Sequence, residues 1–105
     1  VVPNLTVADI DDEVADKIAS LAGACAVSLY DNEEICYNSV KKLTDRGMTQ
    51  VNIHFCYHSN NYFRVVDIVN DIKNDDRLEN LNAIVFLAPI VSLNIPTGIW
   101  NNEYE

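Results

Sequence analysis

The sequence has few of the residues that mark specialised classes of protein. Its 105 residues include only three glycines, three prolines and three cysteines. No apolar run reaches the roughly 18 residues that a membrane-spanning helix needs, and no basic leader marks a signal peptide. Basic residues are also scarce, because 7 of them stand against 16 acidic ones and give a net charge of −9. An acidic surface repels nucleic acids and anionic membranes, so we expect neither as a partner.

Motifs that bind phosphate or metal are missing as well. No strand is followed by the glycine pattern of a dinucleotide or phosphate loop, and no His, Asp or Glu cluster has metal-ligand spacing. Cys25, Cys36 and Cys56 lie 11 and 20 residues apart, which matches no zinc or redox motif. We interpret them as reduced thiols and small apolar side chains, and we expect the protein to be cytoplasmic.

What the chain does contain is apolar residues, 49% of the total, in patterns that alternate between helix and strand. A first helix is predicted to begin at Thr6, with Asp9 three residues later as in a capping box. Asp31 with Asn32, and then Ser59, are predicted to cap two more helices. The buried stripes of the three helices are predicted to be Val7, Ile10, Val14, Ile18 and Leu21; Ile35, Cys36, Val40 and Leu43; and Tyr62, Val65, Val66, Val69 and Ile72.

Strands are predicted over residues 24–30, 50–57 and 82–88. The resulting order α-β-α-β-α-β predicts an α/β fold with a three-stranded parallel sheet, similar to part of a barrel. We assign residues 1–88 to this domain and residues 89–105 to a tail. The tail is predicted to be irregular or to add an edge strand, since residues 90–95 alternate in character.

The exposed edges of such a sheet bear on its partners. Three strands leave two long edges, which attract other strands unless something covers them. We therefore expect a homo-oligomer, or a larger sheet to which this unit belongs. The chain starts at Val1 and not at a methionine, which favours a piece of something longer.

Two pairs of residues have side chains that can take part in catalysis. Asp31 and His58 follow neighbouring predicted strands, where ligands of α/β sheets bind, and a His with a carboxylate performs acid–base chemistry. The same two residues are also explained as a helix cap and a loop residue. His54 and Cys56 share one face of a strand; a Cys–His pair can act as nucleophile and base, but at this spacing it more often reflects packing.

Residues 24–55 and 71–88 carry a resemblance to a known family. They contain the segments YNSVKKLTDRGMTQVNIHF and NDDRLENLNAIVFLA. Both resemble the closing strands of the partial (βα)6 barrel of the radical S-adenosylmethionine enzymes. The resemblance extends over about residues 6–88.

The resemblance implies roles for five side chains. The segment AVSLY is similar to the fourth barrel strand, which contacts the ribose of the cofactor, and this implicates Ser28 and Tyr30. The segment VNIHFCYH is similar to the fifth strand, which flanks the adenine, and this implicates His54 and His58. The segment AIVFLA is similar to the sixth strand and puts Leu87 near the adenine.

Three departures from the family define the expected function. The CxxxCxxC loop that binds the 4Fe-4S cluster is absent, the first three strands are missing, and Pro89 replaces the start of a basic, glycine-containing stretch. Scattered cysteines do not converge on one cluster. The resemblance therefore implies a non-catalytic C-terminal portion of such a barrel. S-adenosylmethionine and 4Fe-4S are expected only in a full-length relative, and the partner is a second copy or the missing N-terminal half.

Two other functions are compatible with the residues. One is a small acidic α/β module for interaction or regulation, which uses its acidic face or the aromatic tail with Trp100 and Tyr104. The other is a small hydrolase or transferase that uses Asp31 and His58.

Overall fold

The computed structural model of the chain describes residues 4–58, 60–87 and 92–96. In these ranges strands and helices alternate along the chain. The elements are β1 (Asn4–Val7), α1 (Asp12–Leu21), β2 (Ala24–Leu29), α2 (Glu33–Thr44), β3 (Val51–Cys56), α3 (Arg64–Asn74), a 3₁₀ turn (Asp76–Leu78), β4 (Ala83–Leu87) and β5 (Ser92–Pro96).

All five strands form one sheet in the order β1-β2-β3-β4-β5. The first four are parallel to one another, and β5 runs antiparallel to β4, with Ile95 opposite Ile84. The predicted α/β fold is thereby confirmed, and so is the edge strand in the tail. The prediction of three parallel strands was wrong by one, because a further strand precedes the first helix.

The extra strand β1 lies where the first helix was predicted to begin. Thr6 does not cap a helix, since it pairs with Ala26 of β2. The cap is Asp11, whose side chain accepts a hydrogen bond from the backbone N–H of Val14 over 2.8 Å. Residues 8–11 therefore separate a strand from a helix, and Asn32 caps α2 as predicted.

The helices lie on one face of the sheet. Each of β1, β2 and β3 is followed by a helix and then by its own neighbour in the sheet, and right-handed connections of this kind put the three helices on the same side. Alternate strand residues are accordingly buried against helix residues in one apolar cluster. Its members include Cys25, Val27, Leu29, Val51, Ile53, Phe55, Ile84 and Phe86 from the strands and Ile18, Val40, Leu43, Ile68 and Ile72 from the helices.

Several predicted stripe residues are not buried. Val14 and Leu21 of α1 and Ile35 of α2 are exposed, although Ile18, Cys36, Val40 and Leu43 lie in the core. In the third helix Tyr62 and Val66 are exposed, and Ile68 and Ile72 form its buried face. For Tyr62 the cause is the helix start, since α3 begins at Arg64 and Tyr62 precedes it. Ser59, the predicted cap, lies outside the described residues.

Candidate functional site

The face of the sheet opposite the helices carries small and polar side chains. Because successive strand residues point to opposite faces, the residues between the core positions belong to this face. Among the described side chains they are Thr6, Ala24, Ala26, Ser28, Asn52, His54, Cys56, Ala83, Val85 and Leu87. We call this surface, against which none of the described helices packs, the uncovered face. It resembles the wall of a ligand cavity more than a packing surface, since four of its ten members have polar side chains and one is a cysteine.

Two predicted site residues are direct neighbours on the uncovered face. Ser28 of β2 and His54 of β3 are register partners, which in paired strands means backbones about 4.8 Å apart. Val85 of β4 continues the same row beside His54. Both Ser28 and His54 are partly exposed, so both are accessible from solvent.

Leu87 lies one step further toward the carboxyl end of the same face. It is the register partner of Cys56, which is two residues beyond His54. The Cys56 side chain is exposed and its thiol is free. Leu87 therefore supplies an apolar surface beside the polar row of Ser28 and His54.

Tyr30 follows β2 directly and lines a cavity of about 290 Å³ together with Ser28. The cavity lies at the carboxyl ends of β1 and β2, beside the start of α2. Its other lining residues are Ala8, Asp9, Asp31, Asn32, Ile35 and Cys36. The two carboxylates and the Ser28 hydroxyl are suited to accept hydrogen bonds from the hydroxyl groups of a ligand. The exposed ring of Tyr30 offers a flat apolar surface beside them.

A second cavity, of about 210 Å³, lies on the uncovered face toward the amino ends of the strands. Ala24 and Ala26 lie between Thr6 on one side and Asn52 with His54 on the other. Small side chains on the middle strand and larger ones on its neighbours leave a groove along β2. His54 borders this groove and is also paired with Ser28 of the first cavity.

His58 is held by its own loop. Its backbone N–H donates to Oδ1 of Asn61 over 2.8 Å, and its ring Nδ1 accepts from the backbone N–H of Asn60 over 3.1 Å. Asn61 also donates to the carbonyl oxygen of Cys56, which anchors the loop to the end of β3. An accepting Nδ1 puts the proton of the neutral ring on Nε2.

Asp31 and His58 follow neighbouring strands, as predicted. Asp31 lines the cavity beside Tyr30, whereas the described contacts of His58 are with its own loop. The acid–base pairing of these two residues stays a prediction. The pairing of His54 with Cys56 as base and nucleophile also stays a prediction.

The cysteines do not fit an iron–sulfur cluster. Cys25 and Cys36 are buried in the core, and Cys56 is exposed on the opposite face of the sheet. Burial raises the pKa of the Cys36 thiol to about 12 and also raises that of Cys25. Within residues 4–58, 60–87 and 92–96, no three His, Cys, Asp or Glu side chains are grouped to hold a metal ion.

An ion-pair network borders the site on the helical side. Arg77 donates to both oxygens of Asp75 and both oxygens of Glu34, over 2.6 to 3.1 Å. These hydrogen bonds hold the pKa of each carboxyl below its ordinary range. Arg77 is thereby fully engaged in joining the 3₁₀ turn to α2, and we interpret it as structural.

Asp9 is a candidate residue that the sequence patterns did not identify. It lines the cavity with Ser28 and Tyr30 because it follows β1. The segment NLTV was interpreted as the start of a helix, so its carboxyl end was not counted among the strand ends. Asp9 could be identified as a site residue only once β1 was known to pair with β2.

No protein-family model, curated protein or solved structure matches the chain. In the part of the chain that the structure describes, no helix is long and apolar enough to cross a membrane.

Proposed function

We propose that the chain is a non-catalytic binding unit, similar to the closing strands of a radical S-adenosylmethionine barrel, and that it binds a nucleoside. The observation that carries the proposal is the pairing of Ser28 with His54 on the uncovered face, since Ser28 also lines the cavity that contains Tyr30. The sequential parallel order of four strands, with helices on one side, also supports a barrel-like origin.

The charges beside the cavity select among nucleosides and nucleotides. Asp9 and Asp31 both line it, and the whole chain has a net charge of −9. A phosphate group would be repelled there, whereas ribose hydroxyls donate well to carboxylates. The ligand we propose is therefore an adenosine-type molecule without phosphate, including one with a positive sulfonium group.

The planar base has apolar and aromatic surfaces to contact. Tyr30 offers an exposed ring, and Leu87 contributes an aliphatic side chain at the carboxyl end of the uncovered face. Stacking of a base on an aromatic side chain contributes about 1–3 kcal/mol per base. His54 lies between them in the sheet and offers a ring nitrogen as a hydrogen-bonding group.

The arrangement of the thiols supports binding without turnover that depends on an iron–sulfur cluster. Cys25 and Cys36 lie on the helix side and Cys56 on the uncovered face, so they do not converge on a cluster. All three are free, which suits the reducing cytoplasm that we propose as its location.

Calorimetric titration tests the proposal. S-adenosylhomocysteine is the nucleoside probe, and adenosine monophosphate is the phosphate-bearing comparison. We expect S28A and H54A each to weaken nucleoside binding about two- to tenfold, as loss of one hydrogen bond does. S20A is the matched control, since Ser20 lies on the exposed surface of α1. Absence of binding by the wild-type protein, or equal affinity in all variants, would contradict the proposal.

A further inference from the structure

The segment between β1 and α1 is attached to α2 at one residue. The backbone N–H of Ile10 donates to Oγ of Ser39 over 3.4 Å, and its carbonyl oxygen accepts from Nζ of Lys42 over 2.8 Å. Ile10 and Ser39 are both buried, with 5% and 1% of their surfaces exposed. The peptide groups on both sides of Ile10 are therefore held. Asp9, which directly precedes Ile10, lines the cavity of about 290 Å³.

The spacing of two residues on α2 explains this attachment. Ser39 and Lys42 are three residues apart, so their side chains lie on the same side of the helix. A buried hydroxyl requires a hydrogen-bond partner, and a hydrogen bond from an ammonium group is stronger than one between neutral groups. Among the described residues Lys42 forms no ion pair. Its ammonium group therefore serves to hold a backbone carbonyl, and not to neutralise a carboxylate.

The two carboxylates that line the cavity differ from those that begin α2. Glu33 and Glu34 at the helix start are each paired with an arginine. Asp9 and Asp31 form no ion pair within residues 4–58, 60–87 and 92–96. Two negative charges thus line one cavity, and no basic side chain in the described part of the chain is paired with them. A positively charged ligand group would be attracted there.

The rest of the cavity lining favours an organic cation over a metal ion. Ile35 and Cys36 contribute apolar surface, and the exposed ring of Tyr30 lines the same cavity. A cation is attracted to the face of an aromatic ring, and its alkyl groups gain from contact with apolar walls. A metal ion such as calcium takes six or more oxygen ligands. In the part of the chain that the structure describes, no three His, Cys, Asp or Glu side chains are grouped to supply them.

We infer that Asp9 and Asp31 select a nucleoside with one positive charge on its 5′ substituent. Ser39 and Lys42 are positioning residues, which hold Asp9 at the cavity through the backbone of the next residue. Asp31 is positioned independently of them, since it precedes Asn32, the cap of α2. The inference rests on the proposed function, because it names the charge of the nucleoside that binds in this cavity.

The effect of removing Lys42 distinguishes positioning from simple charge. As a charge alone, an ammonium group near the cavity repels a cationic ligand, so its removal would strengthen binding. As a positioning residue it keeps Asp9 at the cavity, so its removal weakens binding of the cation. K42M keeps the apolar stem of the side chain but removes its charge and its hydrogen bond. K42R retains a charged donor and should therefore retain the binding of the cation.

Calorimetric titration with adenosine and 5′-amino-5′-deoxyadenosine tests the inference. The ligands differ in one group, which is a hydroxyl in adenosine and an ammonium near pH 7 in the amino analogue. The wild type should bind the amino analogue about tenfold more tightly at low salt, since each carboxylate contributes a factor of about two to five. Added salt should reduce this preference. D9N and D31N should each lower it about threefold. E79Q is the matched control, since Glu79 is exposed and is not part of the cavity lining.

The positioning role has a readout of its own. K42M and S39A should each lower the preference for the amino analogue about two- to threefold, whereas a general loss of structure would weaken the binding of both ligands alike. A preference in these two variants equal to or above that of the wild type would overturn the positioning role.

The wild-type titrations separate this inference from the proposed function. Equal affinity for the two ligands, or a preference that D9N and D31N leave unchanged, would overturn the selection of a positive charge and leave nucleoside binding in place. Binding of neither ligand would contradict the proposed function as well.

Discussion

The hydroxyl of Tyr37 donates a hydrogen bond to Oδ2 of Asp71 over 2.8 Å and thereby joins α2 to α3. Tyr37 is 1% exposed, and the guanidinium of Arg77 lies over its ring at 5.4 Å from the centroid. The pair connects the two helices that follow β2 and β3, the strands that carry Ser28 and His54. Its integrity therefore bears on the position of the candidate site.

Removal of this hydrogen bond should destabilise the fold. Y37F keeps the ring but leaves Asp71 without its partner, and we expect the free energy of unfolding to fall by about 1–2 kcal/mol. Urea denaturation measures the change. Y62F is the control, because Tyr62 is exposed and should show no loss. Equal stability of Y37F and the wild type would show that the bond contributes nothing net.

Stability should also fall at alkaline pH. Burial and the hydrogen bond to Asp71 raise the pKa of Tyr37 above its ordinary value of 10.0. Burial raises the pKa of Cys36 from 9.0 to about 12. The unfolded chain therefore loses these protons at lower pH than the folded one, and stability is lost as the pH rises above about 9.

The contribution of Tyr37 to this loss of stability at alkaline pH can be separated from that of Cys36 by mutation. Above about pH 10 the urea midpoint of Y37F should decline less steeply than that of the wild type, because phenylalanine has no proton to lose. Midpoints measured between pH 8 and about 10.5 test this. Parallel curves for the two proteins would exclude a role of Tyr37.

The three thiols should differ in reactivity. Cys25 and Cys36 are buried and their pKa values are raised, whereas Cys56 is exposed. Since the thiolate is the reactive form, one thiol per folded chain should react rapidly with an aromatic disulfide reagent near pH 8. All three should react in urea. C56S should abolish the rapid phase, and a rapid phase that survives in C56S would contradict the burial of the other two.

The loss of stability at acidic pH should depend on Arg77. Its hydrogen bonds lower the pKa of Glu34 and of Asp75. A carboxyl group whose pKa is lowered in the folded state stabilises the fold at pH values above its ordinary pKa. This stabilisation is lost as the pH falls through the lowered pKa.

R77Q should therefore lower the urea midpoint near pH 7 and flatten its decline below about pH 4. K17Q is the control, because Lys17 and Glu13 are both exposed and such pairs contribute about 0.5 kcal/mol or less. If the urea midpoints of R77Q and the wild type changed with pH in parallel, other groups would govern the loss of stability at acidic pH.

The alternation of apolar patterns predicted most of the fold, and local capping chemistry explains the main error. Strands β2, β3 and β4 were predicted because each is a short apolar segment bounded by polar residues. β5 agrees with one of the two alternatives for the tail, and its antiparallel direction was not predicted. β1 was missed because Thr6 with Asp9 also satisfies a capping pattern. Pairing with β2 decided the outcome, and a tertiary contact of this kind is not encoded in four residues.

The candidate site was predictable only in part. Ser28, His54 and Leu87 were named from a family resemblance, and they lie on the uncovered face of three neighbouring strands. Asp9 was interpreted as part of a capping box and not as a site residue, because its strand was not recognised. The exposure of Val14 and Leu21 was also unforeseen, since a helical stripe reveals which side is apolar but not whether a neighbour covers it.

The most direct test of nucleoside binding is to map the amide chemical shifts of ¹⁵N-labelled protein during titration with S-adenosylhomocysteine. We expect the largest changes at Ser28, Tyr30, His54 and Leu87, with little change in α1. Shift changes confined to the helical surface, or no changes at saturating ligand, would contradict it.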